Sequence, residues 1–254
     1  MGLDNLRTRI IGKRILFVEE VQSTNDEARR LSGLGEKEGT VVVASSQVKG
    51  RGRLGRRWIS PPGGIYLSII LKPYISPSRL PVITLLSSVA VVRTIRGMTK
   101  LDTSVKWPND IVICGKKVGG ILCEAVKNTV IVGIGINLNM SISLFPPSLK
   151  KQVTSIRFEL GANVDRDRVI KILLEEVDKL YRDFLHHKQD EIVSEWSGLC
   201  QTLGNMVRIE TTGGTISGLA ERIGGRGELL VRGYDGKIKK VHPGDAIKVS
   251  LEEV

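Results

Sequence analysis

The chain has three cysteines, Cys114, Cys123 and Cys200, in 254 residues, and no CxxC among them. So sparse and odd a set of thiols builds no disulfide framework, and free cysteines in the reducing cytoplasm are the expectation. The three histidines, His186, His187 and His242, stand at no ligand spacing from the cysteines, which argues against a zinc site. Aromatics make up only 4% of residues, with four phenylalanines and four tyrosines. They do not alternate with basic residues in the way that stacks nucleic-acid bases. The longest apolar stretches, around Val82–Val92 and Val130–Ile136, fall short of the ~18 residues a membrane helix needs, so no membrane partner is expected. Met1–Arg14 carries scattered charges and no apolar core, unlike a secretory signal. Leu6 stands where an N-terminal Met-Gly acylation site needs Ser or Thr.

What is present is a globular composition: 41% hydrophobic, 26% charged, 28 glycines and 9 prolines. The length allows one large domain or a large one with a small companion. Thirty-eight Lys and Arg against 27 Asp and Glu give a net charge of +11, which favours phosphate-bearing or acidic partners.

Residues 1–203 mix strand-like and helical segments. Arg14–Val18, Thr40–Ser45 and Ile65–Leu71 are β-rich runs, and Thr24 with Glu27 reads as a capping box opening a short helix. Ser78–Arg96 and Asp165–Leu185 carry apolar residues at helical spacing, the latter with charges opposite. Ser104–Trp107, Ile111–Cys114, Val118–Ala125 and Val130–Asn137 are short strands. This mixture predicts an α+β domain, a mixed central sheet with flanking helices, rather than a regular βαβ winding. Residues 204–254 change character. Val207–Ile209, Thr215–Glu221, Leu229–Val231, Lys237–Val241 and Ala246–Leu251 alternate between glycine-rich turns, a pattern that fits a small antiparallel β-barrel.

Three segments carry chemistry. Lys49–Arg57 holds five cations and three glycines in nine residues, with no acid. Gly50, Gly52 and Gly55 formally satisfy G-x-G-x-x-G, yet Pro61-Pro62-Gly63-Gly64 and a strand follow where that fingerprint requires a helix. Glycines allow close backbone approach and arginines offer forked donors, so the loop reads as a grip for an anionic ligand, with a solvated basic turn or a nucleic-acid contact as the alternative. Ordering about ten residues costs on the order of 10 kcal/mol of backbone entropy. One charge-assisted hydrogen bond returns about 1.5–3 kcal/mol. The loop is therefore expected to be mobile when empty and to close over a ligand that engages several donors. The second segment is Lys106-Trp107-Pro108-Asn109-Asp110 with Lys117-Val118-Gly119-Gly120, turn chemistry followed by a lysine beside two glycines. In the third, Gly133-Ile134-Gly135-Ile136-Asn137, one strand face lacks side chains. It offers a floor for something flat, or close packing of another backbone.

In this order and spacing, Ser23-Thr24-Asn25, the Gly50–Trp58 loop, Lys106–Asp110, Lys117-x-Gly-Gly-Ile-Leu and Gly-Ile-Gly-Ile-Asn137 resemble the biotin–protein ligases. Gly218-Leu-Ala220 and Pro243-Gly-Asp245 look like that family's small C-terminal barrel of the Src-homology-3-like type. The likeness spans almost the whole chain. It implies the class II synthetase, biotin–lipoate ligase-like fold and a two-step reaction. Biotin and ATP give biotinyl-5′-adenylate with Mg²⁺, and the acyl group then passes to a lysine of a biotin carboxyl carrier domain.

The resemblance also assigns residues. Ser23, Thr24, Asn25 and Gln47 fall at biotin-binding positions, with Gly50, Arg51, Trp58, Lys117 and Gly120. Arg53, Arg56, Trp58, Lys106, Asn109 and Asn137 fall at ATP-binding positions. Lys117, Arg53, Arg51 and Asp110 carry the chemistry, and Asp110 either holds Mg²⁺ or accepts a proton from the incoming lysine. Leu54 departs from the arginine common in bacterial members. Some relatives carry an N-terminal helix-turn-helix domain; here the catalytic pattern starts by Ile15, so no specific DNA binding is expected. A homodimer through the central sheet is the family's analogy. The rival readings are a lipoate or octanoate ligase of the same architecture, which uses a different Arg/Gly/His-rich signature, and a basic nucleic-acid-binding module.

Overall fold

The computed structural model describes residues 5–251; the Met1-Gly2 acylation question lies outside them. Seven strands form a mixed sheet: β1 (Arg14–Val21), β2 (Thr40–Gln47), β3 (Ile65–Leu71), β4 (Thr103–Lys106), β5 (Asp110–Ile113), β6 (Lys116–Val126) and β7 (Thr129–Ile136). Their spatial order is β1-β2-β3-β7-β6-β5-β4. Among the described strands of this sheet, only β1 and β2 pair in parallel, and the crossover that such a pair requires is helix α1 (Thr24–Gly33). The remaining pairs are antiparallel.

Alternation along the strands assigns the two faces. Val130, Val132, Ile134 and Ile136 of β7 point to the main core with helix α2 (Leu80–Thr99), which is apolar nearly all round and buried. Two short helices, α3 (Pro147–Lys150) and α4 (Ile156–Leu160), follow β7. Behind α2 lie α5 (Arg166–Leu185) and α6 (Gln189–Gly198). By length and mean hydropathy α2 would span a membrane. Here it is the central core helix. On the opposite face, α1 covers only a small cluster, Ala28, Leu31, Val42, Ile70 and Ile131. The rest of that face, around Ser68, Gly133 and Gly135, is free for a site.

The second sheet contains β8 (Met206–Thr211), β9 (Gly214–Ile223), β10 (Leu229–Arg232), β11 (Ile238–Val241) and β12 (Ala246–Leu251), ordered β11-β10-β9-β8-β12. Its buried residues, among them Val207, Ile209 and Leu229, belong to the same apolar cluster as α2 and the large sheet. The buried indole of Trp107 donates to Gly227 O at 3.1 Å, tying the β4–β5 turn to this second layer.

Two local expectations change. Thr24 is not a cap: the N-cap is Ser23, and the Thr24 hydroxyl turns inward to Gln47 and Ser68 while Glu27 pairs with Arg30. Both hydroxyls are thereby left to the interior. The second helix begins at Leu80 rather than Ser78, because a short 3-10 turn over Pro77–Arg79 precedes it.

Candidate active site

A cavity of about 660 Å³ opens on the face that α1 leaves free. Its walls come from the start of α1, the Arg51–Ile59 loop, the β4–β5 turn, the glycine positions of β6 and β7, the segment 145–153 and β12. Of the site residues expected from sequence, Gly50 alone is not part of the lining. It lies where the loop crosses itself: a Cβ there would meet Trp58 O at 2.4 Å and Ser60 Oγ at 2.5 Å.

Along the sheet face, Gly120 of β6 sits opposite Gly135 of β7, and Leu122 opposite Gly133. This removes side chains from neighbouring positions on one face. The expected floor exists, but the protein lays its own groups on it. A Cβ at Gly135 would fall 2.6 Å from Trp58 Nε1, and one at Gly133 would fall 2.2 Å from Asn25 Oδ1. Lys117 Nζ stands 5.3 Å from the Trp58 ring centroid and 2.5 Å from Asp110 Oδ1. Trp58 thus lies between Asn25 on one side and the Lys117–Asp110 pair on the other, and its buried Nε1 has no hydrogen-bond partner among the described residues.

The polar end is a chain of hydrogen bonds. The Thr24 N–H donates to Gln47 Oε1 at 2.8 Å, and Gln47 Nε2 donates to Ser60 Oγ at 2.8 Å. Ser60 in turn donates to Trp58 O at 3.1 Å. The Ser68 hydroxyl donates to Asn25 Oδ1 at 2.6 Å and lies 2.8 Å from Thr24 Oγ1. Ser23 lines the same end, buried, with no capping bond on its hydroxyl.

The other walls are cationic. Arg51, Arg53, Arg56, Arg57, Lys106, Lys117, Lys151 and Lys248 line the cavity, and Asp110 is the sole acid among the described lining residues. Asn109 accepts from Arg53 at 3.4 Å and donates to Ile121 O at 2.8 Å. Burial pulls the Arg53 guanidinium below its ordinary value, with Arg56 adding to this and Asp110 opposing it. An arginine stays charged regardless. Asn137 is buried and donates through Nδ2 to Thr154 O at 2.9 Å, leaving Oδ1 in the lining without a partner among the described residues. Burial pushes the thiol of Cys123, next to Glu124, up to about 12.

The Lys49–Arg57 loop carries bonds of its own. It is a hairpin closed by Gly52 N–H to Arg56 O at 2.7 Å and Trp58 N–H to Gly50 O at 2.8 Å. Exposed Leu54 sits at its tip in the left-handed region, φ 54°. Arg51 pairs with Glu124 and, at 2.7 Å, with Asp26. Arg53 donates to the carbonyls of Pro243 and, at 2.9 Å, Ala246; Arg56 donates to Ile247 O at 2.7 Å. These internal bonds offset the ordering cost that would otherwise fall to a ligand. Asp26, Ser68, Glu124 and the β12 wall were not singled out from the sequence. Of these, only Glu124 left a signal, an acid inside the otherwise uncharged run 118–126.

A half-open mixed sheet with a glycine floor, a hydroxyl- and amide-lined pocket and a cationic mouth defines a site for a ligand that is polar at one end and anionic at the other. A model of the biotin/lipoate A/B protein ligase family matches residues 17–141. The chain is 39% identical to the bifunctional ligase/repressor BirA of Bacillus spizizenii, over 94% of this chain and 75% of that one. It is 29% identical to the biotin–[acetyl-CoA-carboxylase] ligase of Mycobacterium tuberculosis, over 96% and 94%. Among solved structures, the biotin protein ligase from Aquifex aeolicus in complex with biotin and ATP superposes with a TM-score of 0.85 at 31% identity, over 94% of this chain and 100% of that one. The chain belongs to the biotin protein ligase family.

Proposed function

We propose that the protein activates biotin with ATP and transfers the biotinyl group to a lysine of a biotin carboxyl carrier domain. The observation that carries this reading is the position of Lys117, beside the Trp58 indole and paired with Asp110, between the polar pocket and the cationic mouth.

In the first half-reaction a biotin carboxylate oxygen attacks the α-phosphorus of ATP, and the bond to the bridging oxygen breaks to release pyrophosphate. Two anions must meet, so the barrier falls chiefly through fixed positive charge placed where negative charge accumulates. Lys117, Arg53 and Arg56 supply it here. Ser23, Thr24, Asn25 and Gln47 would hold the ureido ring, and Trp58 would wall the aliphatic tail. The unpartnered Asn137 Oδ1 would accept from the adenine amine. In the second half-reaction the neutral lysine amine of the carrier attacks the anhydride carbonyl, an amide forms and AMP leaves.

Asp110 is the one described carboxylate of the lining, a donor set suited to Mg²⁺ carried in on phosphates; no cluster of three acidic, His or Cys ligands exists among the described residues. Bound there, the ion would neutralise phosphate charge. Holding the ion and accepting the lysine's proton belong to different half-reactions, so one carboxylate can serve both. The reading also has the protein act in the cytoplasm with its ATP and carrier, as a homodimer through the large sheet.

Biotin-dependent ATP–pyrophosphate exchange, followed by labelled-biotin transfer to a carrier domain, tests the reading, with lipoate as the competing substrate. Exchange with biotin and none with lipoate is the expected result. Exchange with lipoate alone, or with neither, overturns it.

A further inference from the structure

Glu124 lies outside the cavity lining, yet its two oxygens divide between two parts of the site. Oε2 accepts from Asn25 Nδ2 at 2.7 Å. Oε1 accepts from Arg29 at 2.9 Å and from Arg51 of the loop. An acid near a site for two anions works against binding unless its charge orders a cation, and this one does.

The Asn25 amide has two orientations of nearly equal shape. Glu124 admits only one, because a carboxylate accepts and does not donate. Nδ2 is then committed to Glu124 and, at 3.3 Å, to Leu122 O, while Oδ1 keeps one lone pair beyond its bond to Ser68. Asn25 therefore presents the ring pocket with an acceptor. The same carboxylate, with Asp26 at 2.7 Å, fixes the guanidinium at the root of the loop.

We propose that Glu124 is a positioning residue that joins the ring pocket to the anion-binding loop, setting the Asn25 acceptor and anchoring Arg51 through a single carboxylate. It touches neither substrate. The proposal rests on the biotin ligase reading, and the wild-type exchange assay tests that reading separately.

The test is Glu124→Gln, compared with Arg51→Gln and the double variant, in the intact chain. Each is assayed for KM and kcat in biotin-dependent exchange and for release of free biotinyl adenylate. A glutamine can accept from Asn25 or turn its amide and donate, and it carries no charge for Arg51. E124Q is expected to raise the KM for biotin 10-fold or more and leave kcat within about threefold, an effect in the ground-state pocket. The KM for ATP stays unchanged. Adenylate release rises several-fold in E124Q and by a similar factor in R51Q, and the double variant releases no more than either single one. Additive release factors, or an E124Q enzyme with wild-type KM for biotin and wild-type release, would overturn the proposal. Should E124Q fail to fold, Arg51→Gln at the half-buried root of the hairpin still decides: wild-type adenylate release in R51Q overturns the anchor.

Discussion

Adding one methyl group at each glycine of the sheet face perturbs the site by an amount the geometry fixes in advance. At Gly133 the new Cβ would lie 2.2 Å from Asn25 Oδ1, at Gly135 2.6 Å from Trp58 Nε1, and at Gly120 3.4 Å from Lys117 Cε. None of the three has a left-handed backbone, so alanine meets no strain of its own. Ordinary contact between such atoms needs about 3.5 Å. Asn25 and the indole must each withdraw by roughly 1 Å, whereas Lys117 need hardly move. A misplacement of that size costs about 10²-fold in rate, equivalent to about 2.7 kcal/mol. Asn25 is held by Ser68 and Glu124, while the Trp58 indole has no hydrogen bond to lose. The expected order of impairment in biotin-dependent exchange is therefore Gly133→Ala, then Gly135→Ala, with Gly120→Ala near wild type. Gly133→Ala should also lower thermal stability by about 1–3 kcal/mol, the usual cost of overpacking. Trp196 lies in the core, while Trp58 and the buried Trp107 both line the cavity, so the part of the biotin-dependent fluorescence change that Gly135→Ala alters is the part that Trp58 reports. Equal activity across the three variants, or Gly120→Ala as the worst, would refute the idea that the floor works through the groups resting on it.

Lys117→Ala and Arg53→Ala should each cut adenylate formation by orders of magnitude with the fold intact, because both side chains face the cavity; near-normal exchange in either would remove that residue from the mechanism. Asp178 is fully buried on α5; burial favours its neutral form, but bonds from the N–H groups of Ile11, Ile10 and Arg9 and from Arg182 outweigh this and hold the carboxyl below its usual range. Its stabilisation is thus present above the unfolded value near pH 4 and lost as pH falls through the lower folded value. In thermal melts across pH 2–6, Asp178→Asn should lose about 2–4 kcal/mol near pH 6 and flatten the acid-side decline; an unchanged acid profile would exclude the residue as its source.

Much of this architecture could be read from local pattern. Ile65–Leu71 coincides with β3 because Gly63-Gly64 and Lys72-Pro73 punctuate a continuous apolar run. Helix α5 shows its stripe plainly, and Asp165 caps it by accepting from the Arg168 N–H at 3.1 Å. Helix α6 escaped because its buried residues, Ile192 and Trp196, are too few to set a period. In the site, contiguous motifs were legible. Missing were the residues that enter by register or tertiary approach: Glu124 behind Asn25, Ser68 on β3, and the β12 wall. That the bare floor would be filled by Trp58 and Asn25 was equally invisible, since nothing local to Gly133 or Gly135 says what crosses above them.

Besides the bonds a ligand would return, the scaffold itself supplies anchors to the Lys49–Arg57 loop. The two kinds of anchor differ in what a ligand can do to them. Arg53 and Arg56 rest on neutral carbonyls of residues 243–247, so exchanging these for phosphate oxygens gains Coulomb attraction. Arg51 rests on two carboxylates, and an arriving anion offers it no comparable gain. The hairpin therefore has a root that stays and a tip that can change partners. Because the tip's resting partners belong to the Pro243–Ile247 segment, an anion that takes Arg53 and Arg56 must also loosen the contact between the loop and the second sheet.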